Sequence, residues 1–102
     1  MTKTIAEMLQ DQCNAIALTI NNGYDCSAAD YLSDTYDTQF LVTREGAYIA
    51  ARVCVAVGGP DIWIDTRTQR VEGQWGSTSC FADYYRDPMG IDETLAEMWD
   101  CR

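Results

Sequence analysis

The sequence predicts an α+β fold in a single domain spanning residues 1–102. Its elements are an N-terminal helix, a short second helix, an antiparallel meander of three to four strands and a C-terminal helix. Three observations carry this reading. Apolar residues recur with a helical period near the start, at Ile5, Leu9, Cys13, Ile16 and Ile20. Between residues 38 and 75 the period changes to two, with β-branched residues and short turn signals. Helical spacing returns at Leu95, Met98 and Trp99. A chain of 102 residues holds one core, and 47% hydrophobic with 23% charged residues is the composition of a folded protein.

Each element has its own local cause. Thr4 with Glu7 has the form of a capping box at the start of the first helix. Asn21-Asn22-Gly23 ends that helix, because Asn and Gly tolerate the left-handed conformation. Ser27 caps a second helix reaching about Asp34, with Asp30 in its first turn. Thr38 to Thr43 reads as a strand and Arg44-Glu45-Gly46 as its turn. Along Ala47–Val57 the residues Ile49, Ala51, Val53, Val55 and Val57 alternate with Tyr48, Ala50, Arg52, Cys54 and Ala56. Both sets are largely apolar, so this strand is expected to be central and covered on both faces.

Gly58-Gly59-Pro60 breaks that strand, Asp61 to Asp65 forms a short one, and Thr66 to Gln69 is a polar turn. From Arg70 to Trp75, Val71, Gly73 and Trp75 share one face, and Arg70, Glu72 and Gln74 the other. Gly76 to Ser79 reads as loop. Ser79 to Arg86 reads as a short helix, ended at Asp87-Pro88 because a residue before proline avoids the helical region. The last helix runs from Asp92 to Cys101, with Asp92 as its cap and Glu93 in its first turn.

Charge excludes whole classes of function. The chain carries 7 Lys+Arg against 16 Asp+Glu, a net charge of −9, and no histidine. Such a surface repels phosphate backbones and anionic membranes. Without histidine there is no Ser-His-Asp or Cys-His catalysis and no His-ligated metal. The five cysteines are irregularly spaced with no C-x-x-C pair, which reads as reduced, mostly buried thiols. Cys26, just before Ser27, is the one thiol near a helix start, and it reads as structural. The N-terminal stretch lacks a signal-peptide apolar region, and the longest apolar run, Val53 to Val57, is too short to span a bilayer. The expected location is the cytoplasm.

The charge is not spread evenly. Residues 1–20 carry Lys3, Glu7 and Asp11, a net of −1. Residues 21–43 carry Asp25, Asp30, Asp34 and Asp37, a net of −4. In residues 44–82 four arginines balance four acids. Residues 83–102 carry Arg86 and Arg102 against Asp83, Asp87, Asp92, Glu93, Glu97 and Asp100, again a net of −4. Two acidic blocks thus flank a balanced sheet. Tyrosines fall in or beside both blocks, at Tyr24, Tyr31, Tyr36, Tyr84 and Tyr85. Acid mixed with aromatic rings is the composition of an adhesive face for a basic protein surface. The candidate partner-binding residues are therefore Asp25, Asp30, Tyr31, Asp34, Tyr36, Asp37, Asp83, Tyr84, Tyr85, Asp87, Asp92, Glu93, Glu97 and Asp100. The plain alternative is that the acids only keep the protein soluble.

Asp61, Trp63 and Asp65 face one way on their strand, which is the one arrangement that could form a carboxylate pair or a cation site. It would need another acid to converge on them. The alternative is that both acids serve the turns at the strand ends. Gly58-Gly59 has no following Lys-Ser/Thr and no helix start, so it is not a phosphate loop. No catalytic residue, metal or cofactor is assigned.

The stretch Val57-Gly58-Gly59-Pro60-Asp61-Ile62-Trp63-Ile64-Asp65-Thr66, followed by Val71-Glu72-Gly73-Gln74-Trp75-Gly76, resembles a pattern in small proteins of phages and mobile elements. That resemblance covers about residues 47–76 and carries no catalytic signature. In character the chain is similar to phage anti-CRISPR proteins: short, acidic, α+β and lacking a catalytic motif. No functional residue carries over from a likeness of character. The resemblance implies an inhibitor of a host nuclease complex, working in the host cytoplasm. It would occupy a basic nucleic-acid groove as a mimic, or lock a conformation. A second expectation is a structural or regulatory interaction module, monomeric or a homodimer through a sheet edge or the Trp63 face.

Overall fold

A computed structural model describes residues 2–23 and 26–102. Helix α1 spans Ile5–Asn22, and its Thr4 cap accepts the Glu7 amide at 3.1 Å. The face it buries runs Leu9, Cys13, Ala17 and Ile20. Ile5, expected on that face, is half exposed in the first turn, and Ala17 takes a place in the stripe instead. Helix α2 spans Ala28–Ser33, with Ser27 Oγ accepting the Asp30 amide at 3.1 Å.

Five strands follow: β1 Asp37–Val42, β2 Tyr48–Ala56, β3 Asp61–Asp65, β4 Arg70–Trp75 and β5 Thr78–Asp83. They pair antiparallel in sequence order, a meander with β3 at its centre. The expected short helix from Ser79 is thus strand β5, and the sheet has five strands where three to four were expected. A two-residue loop, Gly76-Ser77, returns the chain so that Thr78 pairs with Trp75; Gly76 supplies the positive φ (62°) the turn uses. Pairing with β4 decides the conformation there, and local pattern does not.

Helix α3 spans Ile91–Asp100. Its start is held by Asp87, whose two carboxylate oxygens accept the Ile91 amide at 2.9 Å and the Asp92 amide at 3.0 Å. Asp87, and not Asp92, is therefore the capping group. Ile91 and Leu95 are buried, Trp99 is half-buried, and Met98 is turned outward. Trp99 Nε1 donates to the Gly46 carbonyl at 2.7 Å, tying α3 to the β1–β2 turn.

The helices share one face of the sheet. Leu9, Cys13, Ala17 and Ile20 of α1, Ala28 and Leu32 of α2, and Ile91 and Leu95 of α3 join Val53, Ile62, Ile64 and Val71 in one apolar cluster. Each fully buried Leu or Ile contributes about 2 kcal/mol, against about 0–1 kcal/mol for a surface ion pair. The core therefore holds the fold, which leaves the surface charges free to serve another purpose. At Gly73 α1 lies directly against β4.

β2 is not covered on both faces as expected. Register shifts opposite Leu41/Val42 and between Cys54 and Ala56 break its alternation, so Tyr48 and Ala56 pair with the helix-facing residues Val42 and Ile62. On the other, open face Ala50 and Cys54 are buried between long cross-strand neighbours, Leu41 for one, Asp37 and Trp63 for the other.

Candidate functional site

Packing of α2 against α3 brings parts of the two acidic blocks together in the helical layer. Asp30 and Asp34 are exposed, one helical turn apart. Glu93, Glu97 and Asp100 are exposed at the i, i+4 and i+7 positions of α3, a single stripe. No ion pair joins these five acids to a described cation; the described pairs are Lys3–Asp11, Arg52–Asp65, Arg52–Glu72 and Arg70–Asp83. Beside Asp30 and Asp34 lies a concavity of about 420 Å³, lined also by Cys26, Tyr31, Thr35 and Val55.

Other candidates sit elsewhere. Tyr84 is 3% exposed and belongs to the core, so it offers no ring to a partner. Burial, with Asp87, Asp92 and Asp65 nearby, pushes its hydroxyl well above the ordinary range. Asp87 is engaged at the start of α3. Asp92, exposed beside that stripe, accepts the Tyr48 hydroxyl at 2.6 Å. Burial and then that bond push Tyr48 up as well. Asp37 and Asp83 lie in register with Cys54 and Arg70 on the open sheet face, away from the helical layer. Tyr36 and Tyr85 are exposed, at 65% and 78%. Asp25, with Tyr24, lies outside the described residues.

The open sheet face is a second surface, which only the register discloses. Arg52, Asp65, Arg70 and Asp83 form one row across β2 to β5. Cys54, Trp63, Glu72 and Phe81 form the next. Arg70 Nε meets Asp83 Oδ1 at 2.9 Å, and Arg52 reaches Asp65 at 3.8 Å and Glu72 at 3.7 Å. Both guanidinium groups lie over rings, Arg52 at 4.9 Å from the Trp63 centroid and Arg70 at 3.8 Å from Phe81. Of these residues Arg52, Trp63, Arg70, Glu72 and Phe81 line a concavity of about 550 Å³. Period-two patterning gives each strand's outward residues, but not which of them become neighbours.

Asp61 and Asp65 serve the turns: Asp61 accepts the Gly58 amide at 3.0 Å and Asp65 the Arg67 amide at 2.9 Å. Among the described residues, no three Cys, Asp or Glu side chains are grouped as a metal ion would need. Burial pushes the Cys13 thiol up to about 11, away from reactivity, and pushes Cys54 up as well. Among the described residues, no helix is long and apolar enough to cross a membrane.

Comparison with models of known families, with curated proteins and with solved structures finds no match.

Proposed function

We propose that this chain is a stoichiometric protein inhibitor of anti-CRISPR type, which binds the basic surface of a host nucleic-acid-handling defence complex. Its action is binding, by occupying a groove or holding one conformation, with no bond made or broken. The observation that carries this reading is the exposed acid of the packed α2–α3 layer: Asp30 in α2 and Asp34 at its C-terminal end, Glu93, Glu97 and Asp100 on α3, none paired to a described cation. Acids gathered on one face make a negative field that steers association with a basic groove. Tyr31, beside the concavity at α2, and the exposed Tyr36 supply rings next to that charge.

The test is capture from a host lysate on the immobilised protein. A nucleic-acid-handling complex is expected to be retained near 0.05 M salt. It is expected to be released towards about 1 M, where the screening length falls to about 3 Å. The variant Asp30→Lys/Asp34→Lys/Glu93→Lys/Glu97→Lys is expected to lose both capture and inhibition. Inhibition that survives these reversals would sink the reading.

A further inference from the structure

We propose that the open sheet face binds a second copy of this chain, stacked face to face about a two-fold axis that runs along the strands between β3 and β4. This inference stands apart from the reading of the acidic helical layer. Its basis is the order of charge in the row Arg52, Asp65, Arg70, Asp83, which holds one residue from each of β2, β3, β4 and β5. The signs alternate: plus, minus, plus, minus. A two-fold axis along the strands presents the same row reversed. Reversing an even, alternating row sets every charge opposite its complement. Arg52 then faces the second copy's Asp83, and Asp65 faces the second copy's Arg70. An isologous interface needs this self-complementarity.

The neighbouring row fits the same operation. Glu72 comes opposite the second copy's Trp63, whose ring already carries Arg52 at 4.9 Å. Phe81, half exposed with no helix over it, comes opposite Cys54. Two stacked sheets pack with their strands within about 30° of each other and their side chains interleaved. The row's charges already pair within one chain, so stacking them exposes no lone ion to desolvation. Elsewhere the arithmetic is unfavourable: with a net charge of −9, contact through the helical layers would set acid against acid. Stacked sheets leave both helical layers outward.

The test is sedimentation velocity across a concentration series, with two charge reversals. The wild-type chain is expected to reach twice its 11.4 kDa mass. Arg70→Glu alone sets acid opposite the second copy's Asp65. Asp65→Arg alone sets cation opposite the second copy's Arg70. Each variant alone is expected to lose about tenfold or more in self-affinity. Mixed in equal amounts, the two variants complement each other at all four positions, and the dimer is expected to return. Recovery on mixing is something that misfolded variants would not give. Three results would each overturn the proposal: a wild-type chain that stays at 11.4 kDa up to about 1 mM, a single reversal that dimerises as the wild type does, or a mixture that stays monomeric.

Discussion

Cys13 Sγ occupies the space beside Gly73 so closely that a Cβ on that glycine would lie 2.7 Å from it, with Leu9 Cδ1 at 2.8 Å. Two fully buried side chains of α1 therefore require the smallest residue on β4. Gly73→Ala is expected to destabilise by about 1–3 kcal/mol through overpacking. The urea midpoint should fall with the slope unchanged. Cys13→Ala added to Gly73→Ala should recover part of the loss but not all, since Leu9 still presses on the site. A neutral Gly73→Ala would mean that α1 does not pack flat on β4.

Asp87 holds the start of α3 through both of its oxygens, at a position where Gly90 lends no side chain to the helix end. Asp87→Ala removes acceptors from two amides that have no helical partner. The expected cost is about 1–2 kcal/mol. Amide exchange should accelerate first at Ile91 and Asp92, ahead of the sheet. Asp92→Ala should not mimic it, since among the described residues the Asp92 carboxylate accepts from the Tyr48 hydroxyl and from no helix amide.

Stability should fall on the alkaline side. Burial raises the folded Cys13 thiol from 9.0 to about 11, while the unfolded chain ionises at the ordinary value. A group raised in this way stabilises fully below its unfolded value, and that contribution fades as pH climbs through its folded value. For Cys13 the window runs from about 9 to about 11, with a loss on the order of 2 kcal/mol. Tyr48 and Tyr84 are raised too, mainly by burial, and extend the loss to higher pH. Denaturant midpoints at a series of pH values check this, and Cys13→Ala should flatten the lower part of the decline. Ultraviolet titration should show two tyrosines ionising only on unfolding.

What the sequence discloses follows the range of the forces involved. Caps and helical faces are local, so Thr4 with Glu7, Ser27 with Asp30, and the spacing of Glu93, Glu97 and Asp100 are readable directly. β5 is not, because Ser79 to Asp83 becomes a strand by pairing with β4 across a two-residue loop. Capping by Asp87 is hidden because the group acts across Pro88, Met89 and Gly90. Tyr84 looks like its neighbour Tyr85 in composition, and only the packing of α3 and the sheet separates a core ring from an exposed one. The charge row on the open face needs four registers at once, and no single strand contains it.

The stripe on α3 is the acid whose cost is easiest to state. Glu93 and Glu97 repel across one turn, at about 0.2–0.5 kcal/mol for such a pair. Glu97 and Asp100 lie in the last turn, which contains no basic residue, against the negative end of the helix. Unlike Asp87, neither side chain joins a hydrogen bond or ion pair among the described residues. Glu97→Lys/Asp100→Lys is therefore expected to stabilise the protein by about 0.5–1 kcal/mol, read as a higher thermal midpoint. The same variant should bind the proposed basic partner at least about tenfold more weakly at low salt, with a shallower salt dependence. The opposite signs are what separate a binding face from a solubilising one. If the stripe only kept the chain soluble, the double variant would gain stability and keep its partner.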